Sequence, residues 1–153
     1  MSKSSPFKYE KADESAGFLL WKITALWQRK LADVLGVLGI TQTQYAILAS
    51  LRWFEEKREP TTQAHLVEHT KIDKMTVSKA IRKLEENNLV LRSSSSSDGR
   101  TTNVRLTVQG RRLTQKAVVV IENADEEFFS CLIKGQLGTY KSLISTIIAN
   151  NSL

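Results

Sequence analysis

The sequence predicts a mainly α-helical fold with one small β-hairpin, an α+β arrangement. Apolar residues recur every three or four positions through several long segments, which is the period of an amphipathic helix. Capping residues stand directly before these segments. A serine-rich tract separates two short β-prone runs, which is the pattern of a hairpin. With 41% hydrophobic and 25% charged residues, the 153-residue chain has the composition of an ordinary globular domain.

The first two predicted helices follow a polar arm, residues 1–12. Apolar side chains recur from Leu20 to Leu38 at helical spacing, and the helix is expected to close at Gly36 and Gly39. Residues 41–44, Thr-Gln-Thr-Gln, have the sequence of a capping box. A second helix is therefore expected from this box to about Glu56.

Two shorter helices come next. Thr61-Thr62 predicts a very short strand, and residues 63–69 predict a brief helix. Asp73 is a good N-cap for the following helix, and Asn87-Asn88 can end it because asparagine tolerates the left-handed conformation. Its apolar residues, expected to pack, are Met75, Val77, Ala80, Ile81 and Leu84. The opposite face is polar and basic.

A hairpin and two long helices complete the chain. Residues 89–91 and 104–106 predict strands on either side of the tract that ends in Asp98-Gly99-Arg100. Thr107 is expected to cap a long helix that continues to Leu132, and a last amphipathic helix follows Lys134-Gly135. The apolar faces of these helices are larger than a small free-standing core needs. They are expected to pack on a partner.

The positive charge is confined to one part of the chain. The formal net charge is +6, and residues 71–112 carry ten basic and four acidic side chains, whereas the remainder carries twelve of each. Such a block favours a polyanionic partner.

A short helix, a turn, a helix with a cationic face and a hairpin follow one another in the order of a winged helix-turn-helix lobe. An α-helix fits the major groove of DNA, where side chains near its N-terminal half reach base edges. The candidates for these contacts are Lys74, Thr76, Val77, Ser78 and Lys79. The candidates for phosphate contacts are Arg82, Lys83 and Arg92. Arg100, positioned by Asp98, is the candidate for the adjacent minor groove.

The stretch from Asp73 to Glu85, with Asp98-Gly-Arg100, Val104-Arg-Leu-Thr107 and Gly110, resembles the MarR family of winged helix-turn-helix transcriptional regulators. The likeness covers most of the chain. It implies a homodimer in which the first and last helices of the subunits intertwine, with two lobes on pseudo-palindromic double-stranded DNA. It also implies a small-molecule effector and repression as the direction of control. The serine tract and Asn88 depart from the charged wing and the glycine that are usual in the family.

The resemblance divides the chain into three parts. Residues 1–40 would be the N-terminal arm and a dimerisation helix, 41–110 the DNA-binding lobe, and 111–153 the long helix and a C-terminal dimerisation helix. The candidates for the dimer interface are Leu20, Leu137, Tyr140, Ile144 and Ile147.

Four aromatic residues, Trp21, Trp27, Tyr45 and Trp53, lie on the first two helices. They either pack in the core and dimer interface or line the effector pocket. In a pocket they would suit a quaternary ammonium compound, because cations are attracted to indole faces.

Two other function classes stay open. A non-sequence-specific architectural or RNA-binding protein could use the same basic block, and it would bind scrambled DNA with similar affinity. A dimeric module for an acidic protein partner is the other alternative, but a flat acidic surface needs neither a groove-sized helix nor a wing.

The sequence gives little support to catalysis, metal binding or a membrane span. It has no nucleophile elbow and no glycine-rich phosphate loop, so we expect neither an enzyme nor a cofactor. His65 and His69 lie four apart without a third ligand nearby, and Cys131 is the only cysteine, expected on a packing side and not to be a redox sensor. No apolar run spans a bilayer and no secretory signal is present, so a cytoplasmic protein is expected.

Overall fold

The computed structural model describes residues 4–94 and 101–152. Over these residues a single 3-10 turn, Ala12–Glu14, precedes six helices and two strands in chain order. They are α1 (Ala16–Gly36), α2 (Gln42–Glu56), α3 (Gln63–Thr70), α4 (Lys74–Glu86), β1 (Val90–Ser94), β2 (Thr102–Leu106), α5 (Val108–Phe128) and α6 (Lys134–Asn151). The predicted fold class, mainly α with a small hairpin, is confirmed.

Side-chain caps begin the helices where the sequence predicts them. Thr41 Oγ1 accepts a hydrogen bond from Gln44 N at 3.1 Å, and Gln44 Oε1 accepts one from Thr41 N at 3.0 Å. This reciprocal pair is the predicted capping box of α2. Asp73 and Thr107 cap α4 and α5 in the same way, each accepting from the amide three residues on.

Residues with positive φ lie after the ends of four helices. Gly39 has a φ of 72°, and Arg58, Lys71 and Asn88 have φ values of 57°, 60° and 59°. Asn88 confirms the prediction that asparagine ends α4 in the left-handed conformation. Lys71 adopts the same conformation directly after α3, so the turn between α3 and α4 is made without a glycine.

The core lies under the hairpin and between the first five helices. Its fully buried members include Leu35, Ile47, Leu48, Leu66, Val77, Ile81, Leu84 and Val90. The strands β1 and β2 are antiparallel, with Val90 opposite Leu106. Thr62 forms an isolated bridge with Asn103, so the predicted short strand is a single bridging residue. The hairpin and the start of α3 are thereby joined.

The start of α5 approaches the backbone that leads into β1. A Cβ atom at Gly110 would lie 1.9 Å from the carbonyl oxygen of Leu89. That oxygen accepts a hydrogen bond from Thr107 N at 3.1 Å, and Thr107 Oγ1 donates to Asn88 O at 2.7 Å. Glycine is required here because the two backbones are in direct contact.

The end of α5 differs from the prediction. The helix stops at Phe128 instead of continuing to Leu132, because the chain turns through hydrogen bonds such as Leu132 N to Phe129 O at 3.0 Å. The Phe129 ring then packs on Tyr140 of α6, with ring centroids 5.1 Å apart. Cys131 lies in this turn and is exposed, so the expectation that it packs is wrong.

Every residue of α6 is at least partly exposed in the protomer. Among residues 4–94 and 101–152, no helix is long and apolar enough to cross a membrane.

Candidate nucleic-acid interface

The outer face of α4 carries most of the predicted DNA-contacting residues. Lys74, Thr76, Lys79, Arg82 and Lys83 are exposed, and Ser78 is half-buried. They share a helix whose opposite face is packed in the core, so the cationic face is held at a fixed orientation to the rest of the lobe. The structure thus brings these six candidates together on one surface.

The structure places Val77 and Met75 on different faces of α4. Val77 is fully buried, as expected for the apolar face, so it cannot contact DNA and its assignment to the base-contacting residues is wrong. Met75 is expected in the core, but 82% of its surface is exposed. Each residue turns a helix by about 100°, so Val77 shares a face with Ile81, whereas Met75 lies about 200° away from Val77.

The N-terminus of α4 is fixed by Asp73. Its carboxylate accepts from Thr76 N at 2.9 Å and from Thr76 Oγ1 at 2.6 Å. The bond from the Thr76 side chain, followed by the bond from its backbone amide, lowers the pKa of Asp73. The carboxylate also offsets the positive end of the helix dipole. Thr76 therefore uses its hydroxyl hydrogen within the protein and offers DNA an acceptor oxygen and a methyl group.

Two basic side chains of α4, Arg82 and Lys83, have only weak partners among the residues that the structure describes. Lys83 Nζ lies 3.7 Å from a Glu86 oxygen, and Arg82 Nε lies 3.5 Å from Ser78 O. Exposed pairs of this kind contribute little to stability. Both cations can therefore move to a phosphate at small cost.

Arg92 of β1 is bound to Glu85 of α4. Its Nη2 lies 2.8 Å from Glu85 Oε1, and its backbone N–H donates to Glu85 Oε2 at 3.2 Å. The side-chain bond from Arg92 lowers the pKa of Glu85. Arg92 joins the hairpin to α4, and its charge is balanced there. Sequence reasoning missed Glu85, because a pairing across seven residues depends on where the hairpin lies.

The hairpin adds one basic side chain that the sequence patterns do not single out. Arg105 is exposed on β2, opposite Leu91 of β1. A separate groove of about 410 Å³, between α3, the start of α4 and the hairpin, is lined by residues that include Thr62, Gln63, Lys74 and Thr102. Asp98 and Arg100, the predicted wing residues, lie outside the described part of the chain.

The four candidate pocket aromatics are not brought together. Trp27 lines a cleft of about 440 Å³ between α1, α5 and α6, and its Nε1 donates to Asp125 at 3.0 Å. Burial, with Glu122 and Asp125 nearby, raises the pKa of Tyr45. Trp21 and Trp53 lie elsewhere, Trp21 against another shallow pocket and Trp53 under the Lys57 ammonium, 4.8 Å from the ring. The prediction that these four aromatic residues line a single pocket is therefore wrong.

The candidate dimer residues form an apolar surface on α1 and α6. Leu20 and Ile147 are more than half exposed, at 59% and 58%, and Leu137, Tyr140 and Ile144 are half-buried. Tyr140 and Ile144 also line the cleft beside Trp27.

The histidines have structural partners. His69 packs edge-on against Phe54, with centroids 4.9 Å apart, and His65 Nδ1 accepts from Thr62 N at 3.4 Å. Over the described ranges, no group of three or more His, Cys, Asp or Glu residues is arranged to hold a metal ion.

Comparison with known proteins matches this arrangement to a family. The sequence model of the MarR family matches residues 40–102. An uncharacterized HTH-type transcriptional regulator of Bacillus subtilis, YdcH, is 32% identical over 83% of this chain and 86% of its own length. The chain belongs to the MarR family. It is accordingly a DNA-binding transcriptional regulator and not an enzyme.

Other MarR-like proteins share its length and fold. An HTH-type transcriptional repressor of Mycobacterium tuberculosis is 27% identical over 88% of this chain and 94% of its own. A probable transcriptional regulator from Pseudomonas aeruginosa is 25% identical, with a TM-score of 0.79 over 90% of this chain and all of that one. The fold is also that of a Staphylococcus aureus MepR–DNA complex, with a TM-score of 0.79, 20% identity, and 89% and 97% of the chains covered. CouR of Rhodococcus jostii, bound to p-coumaroyl-CoA, is 20% identical, with a TM-score of 0.78 over 91% of this chain and 95% of that one.

Proposed function

We propose that this MarR-family protein is a homodimeric, sequence-specific repressor that a small molecule releases from DNA. The observation that carries the proposal is the outer face of α4, where exposed basic and hydroxyl side chains project from a helix anchored in the core. Such a helix fits the major groove, and its two kinds of side chain suit the two kinds of contact found there.

The first half of α4 would contact base edges. Lys74 and Lys79 carry donors for guanine O6 and N7, and the hydroxyls of Thr76 and Ser78 can bond to several bases. Arg82 and Lys83, further along, would contact phosphates and set the register. Arg92 acts indirectly, because its bond to Glu85 fixes the hairpin against α4.

The hairpin would place a wing in the adjacent minor groove. Its base is held by the Leu89–Gly110 contact, and the outer part of β2 is held by the bridge between Thr62 and Asn103. Arg100, with Asp98, is the sequence-based candidate for the groove, where arginine is attracted to narrow A·T segments.

Dimerisation would cover the apolar surface of α1 and α6, through Leu20, Leu137, Tyr140, Ile144 and Ile147. A protomer that leaves such side chains exposed gains stability when a second copy covers them. In the proposed division, residues 1–40 and 111–153 build the dimer and residues 41–110 bind DNA. A twofold axis would set the two α4 helices about 34–36 Å apart, one turn of DNA.

Control by a small molecule would act through the cleft at Trp27 and Asp125. The cleft is bounded by α1, α5 and α6, the same helices that would form the dimer, so a ligand there changes the spacing of the two lobes. The solved structure of CouR, which has this fold, contains bound p-coumaroyl-CoA, and this supports a small-molecule ligand. The repressor of Mycobacterium tuberculosis supports the direction of control.

Selection from a randomised duplex library tests the proposal. At about physiological salt, the full chain is expected to enrich an inverted repeat with half-site centres about 10 base pairs apart. Lys83→Ala should weaken binding to the selected duplex and reduce the salt slope by about one, because this lysine is proposed to neutralise one phosphate. Lys116→Ala, an exposed lysine of α5, is the matched control and should bind like the wild type. Retention of DNA without an enriched motif would instead favour the architectural alternative.

A further inference from the structure

Met75 lies on the same stripe of α4 as the proposed base-contacting residues. Positions 75, 78, 79 and 82 follow the spacing at which helical side chains are neighbours, so Met75 precedes Ser78, Lys79 and Arg82 on one face. The side chain is 82% exposed at the second residue of the helix. An apolar group thus stands at the N-terminal end of an otherwise polar and cationic surface.

The core does not account for this methionine. Val77, Ile81 and Leu84 fill the buried face of α4, and Met75 is on the other side. The neighbouring Thr76 donates its hydroxyl hydrogen to Asp73. The first turn of α4 therefore offers DNA an ammonium from Lys74, an acceptor and a methyl group from Thr76, and the long apolar side chain of Met75.

The major groove contains one apolar group that such a side chain fits. Thymine presents its C5-methyl group there, and apolar side chains contact it. Methionine is unbranched and adaptable, so it can reach a methyl group without precise backbone placement. We propose that Met75 is a specificity-determining residue that selects thymine in each half-site through contact with the C5-methyl group. This inference rests on the proposed function, because it needs α4 in the major groove of a selected operator.

The size of the effect follows from the methyl group. Burial of one methyl group corresponds to about a fourfold change in affinity. A dimer makes the contact twice, so removal of both methyl groups is expected to weaken binding by about fifteenfold.

The test uses the duplex enriched from the randomised library. Each symmetry-related pair of thymines is replaced by deoxyuridine, which removes only the methyl groups, and affinity is measured by fluorescence anisotropy. For the wild type and for Met75→Leu, replacement of the contacted thymine pair is expected to weaken binding by about fifteenfold. For Met75→Gln, which keeps the length of the side chain but makes it polar, the same replacement should cost less than about twofold. Lys79→Ala is the matched control: it should weaken binding to both duplexes and keep their ratio.

The possible results separate the role of Met75 from the proposed function. An enriched inverted repeat in which no deoxyuridine pair affects binding, or in which its cost persists in Met75→Gln, overturns the role of Met75 and leaves the proposed function standing. A repeat with no thymine in its half-sites does the same. If no inverted repeat is enriched, the proposed function and the role of Met75 are both refuted. Thermal unfolding of the Met75 variants, expected to match the wild type because the side chain is exposed, shows whether weaker binding reflects a loss of fold.

Discussion

Gly110→Ala is the substitution whose effect the structure specifies most directly. An ideal Cβ at this position lies 1.9 Å from Leu89 O and 2.9 Å from Leu89 C. A carbon and an oxygen atom in ordinary contact are about 3.3 Å apart, so α5 and the start of β1 would have to separate by about 1.4 Å. Neither side can yield by changing a rotamer, because the contact is between backbones.

The energetic cost is larger than the gain in helix propensity. Crowding of this kind costs about 1–3 kcal/mol, and weakening the bond from Thr107 N to Leu89 O costs about 1 kcal/mol more. Alanine is a better helix former than glycine, and this offsets about 1 kcal/mol of the loss. The net loss is about 1–3 kcal/mol, which corresponds to a fall in melting temperature of about 2–12 °C for a chain of this size.

Urea unfolding followed by far-UV circular dichroism, at one protein concentration, measures this loss. Gly36→Ala is the matched control, since its Cβ would meet nothing within 4 Å. It should be neutral or stabilising by up to about 1 kcal/mol. If Gly110→Ala were as stable as the wild type, the direct backbone contact between α5 and Leu89 would be refuted. If both variants lost stability equally, the cause would be a general intolerance of alanine.

Three further predictions follow from the caps, the core and the ion pairs. Val77→Ala should lower the free energy of unfolding by about 2 kcal/mol because it removes buried methyl groups, whereas Met75→Ala should change it by less than about 0.5 kcal/mol; equal effects would contradict their assigned positions. Asp73→Ala should cost about 1 kcal/mol through loss of the α4 cap, and Asp73→Asn should retain most of that stability; a neutral alanine variant would argue against the cap. Glu55 has a lowered pKa because the Arg111 side chain donates hydrogen bonds to it. The contribution of Glu55 to folding stability is therefore complete above its ordinary pKa of 4.5. It is lost as the pH falls towards the lowered pKa of the native state. Glu55→Gln should flatten the fall in stability below about pH 4.5, as measured by urea unfolding at a series of pH values, and an unchanged profile would show that Glu55 is not involved.

Local chemistry made several elements predictable from the sequence. The caps at Thr41, Asp73 and Thr107, and the left-handed Asn88, depend on bonds and backbone preferences within a few residues. Such short-range preferences act in the same way in any fold, so the sequence alone indicates where these helices begin and where α4 ends.

The remainder depends on how elements meet. Met75 and Val77 are both apolar, and helical spacing places them on nearly opposite faces. The packing of α4 decides which of these faces is buried. The bond between Arg92 and Glu85 and the separation of Trp21 and Trp53 from Trp27 depend on tertiary placement, for which the sequence carries no local signal.

The contact at Gly110 also determines how movement passes through the molecule. Side chains between two elements absorb a small displacement by changing rotamers, but here the α5 backbone touches the Leu89 carbonyl with nothing in between. Asp125 lies on the same helix, fifteen residues or about 22 Å further along. A rigid shift of α5 at its Asp125 end would therefore displace Leu89 and the start of β1 directly, and in the proposed function this helix would couple the cleft to the proposed DNA-binding surface.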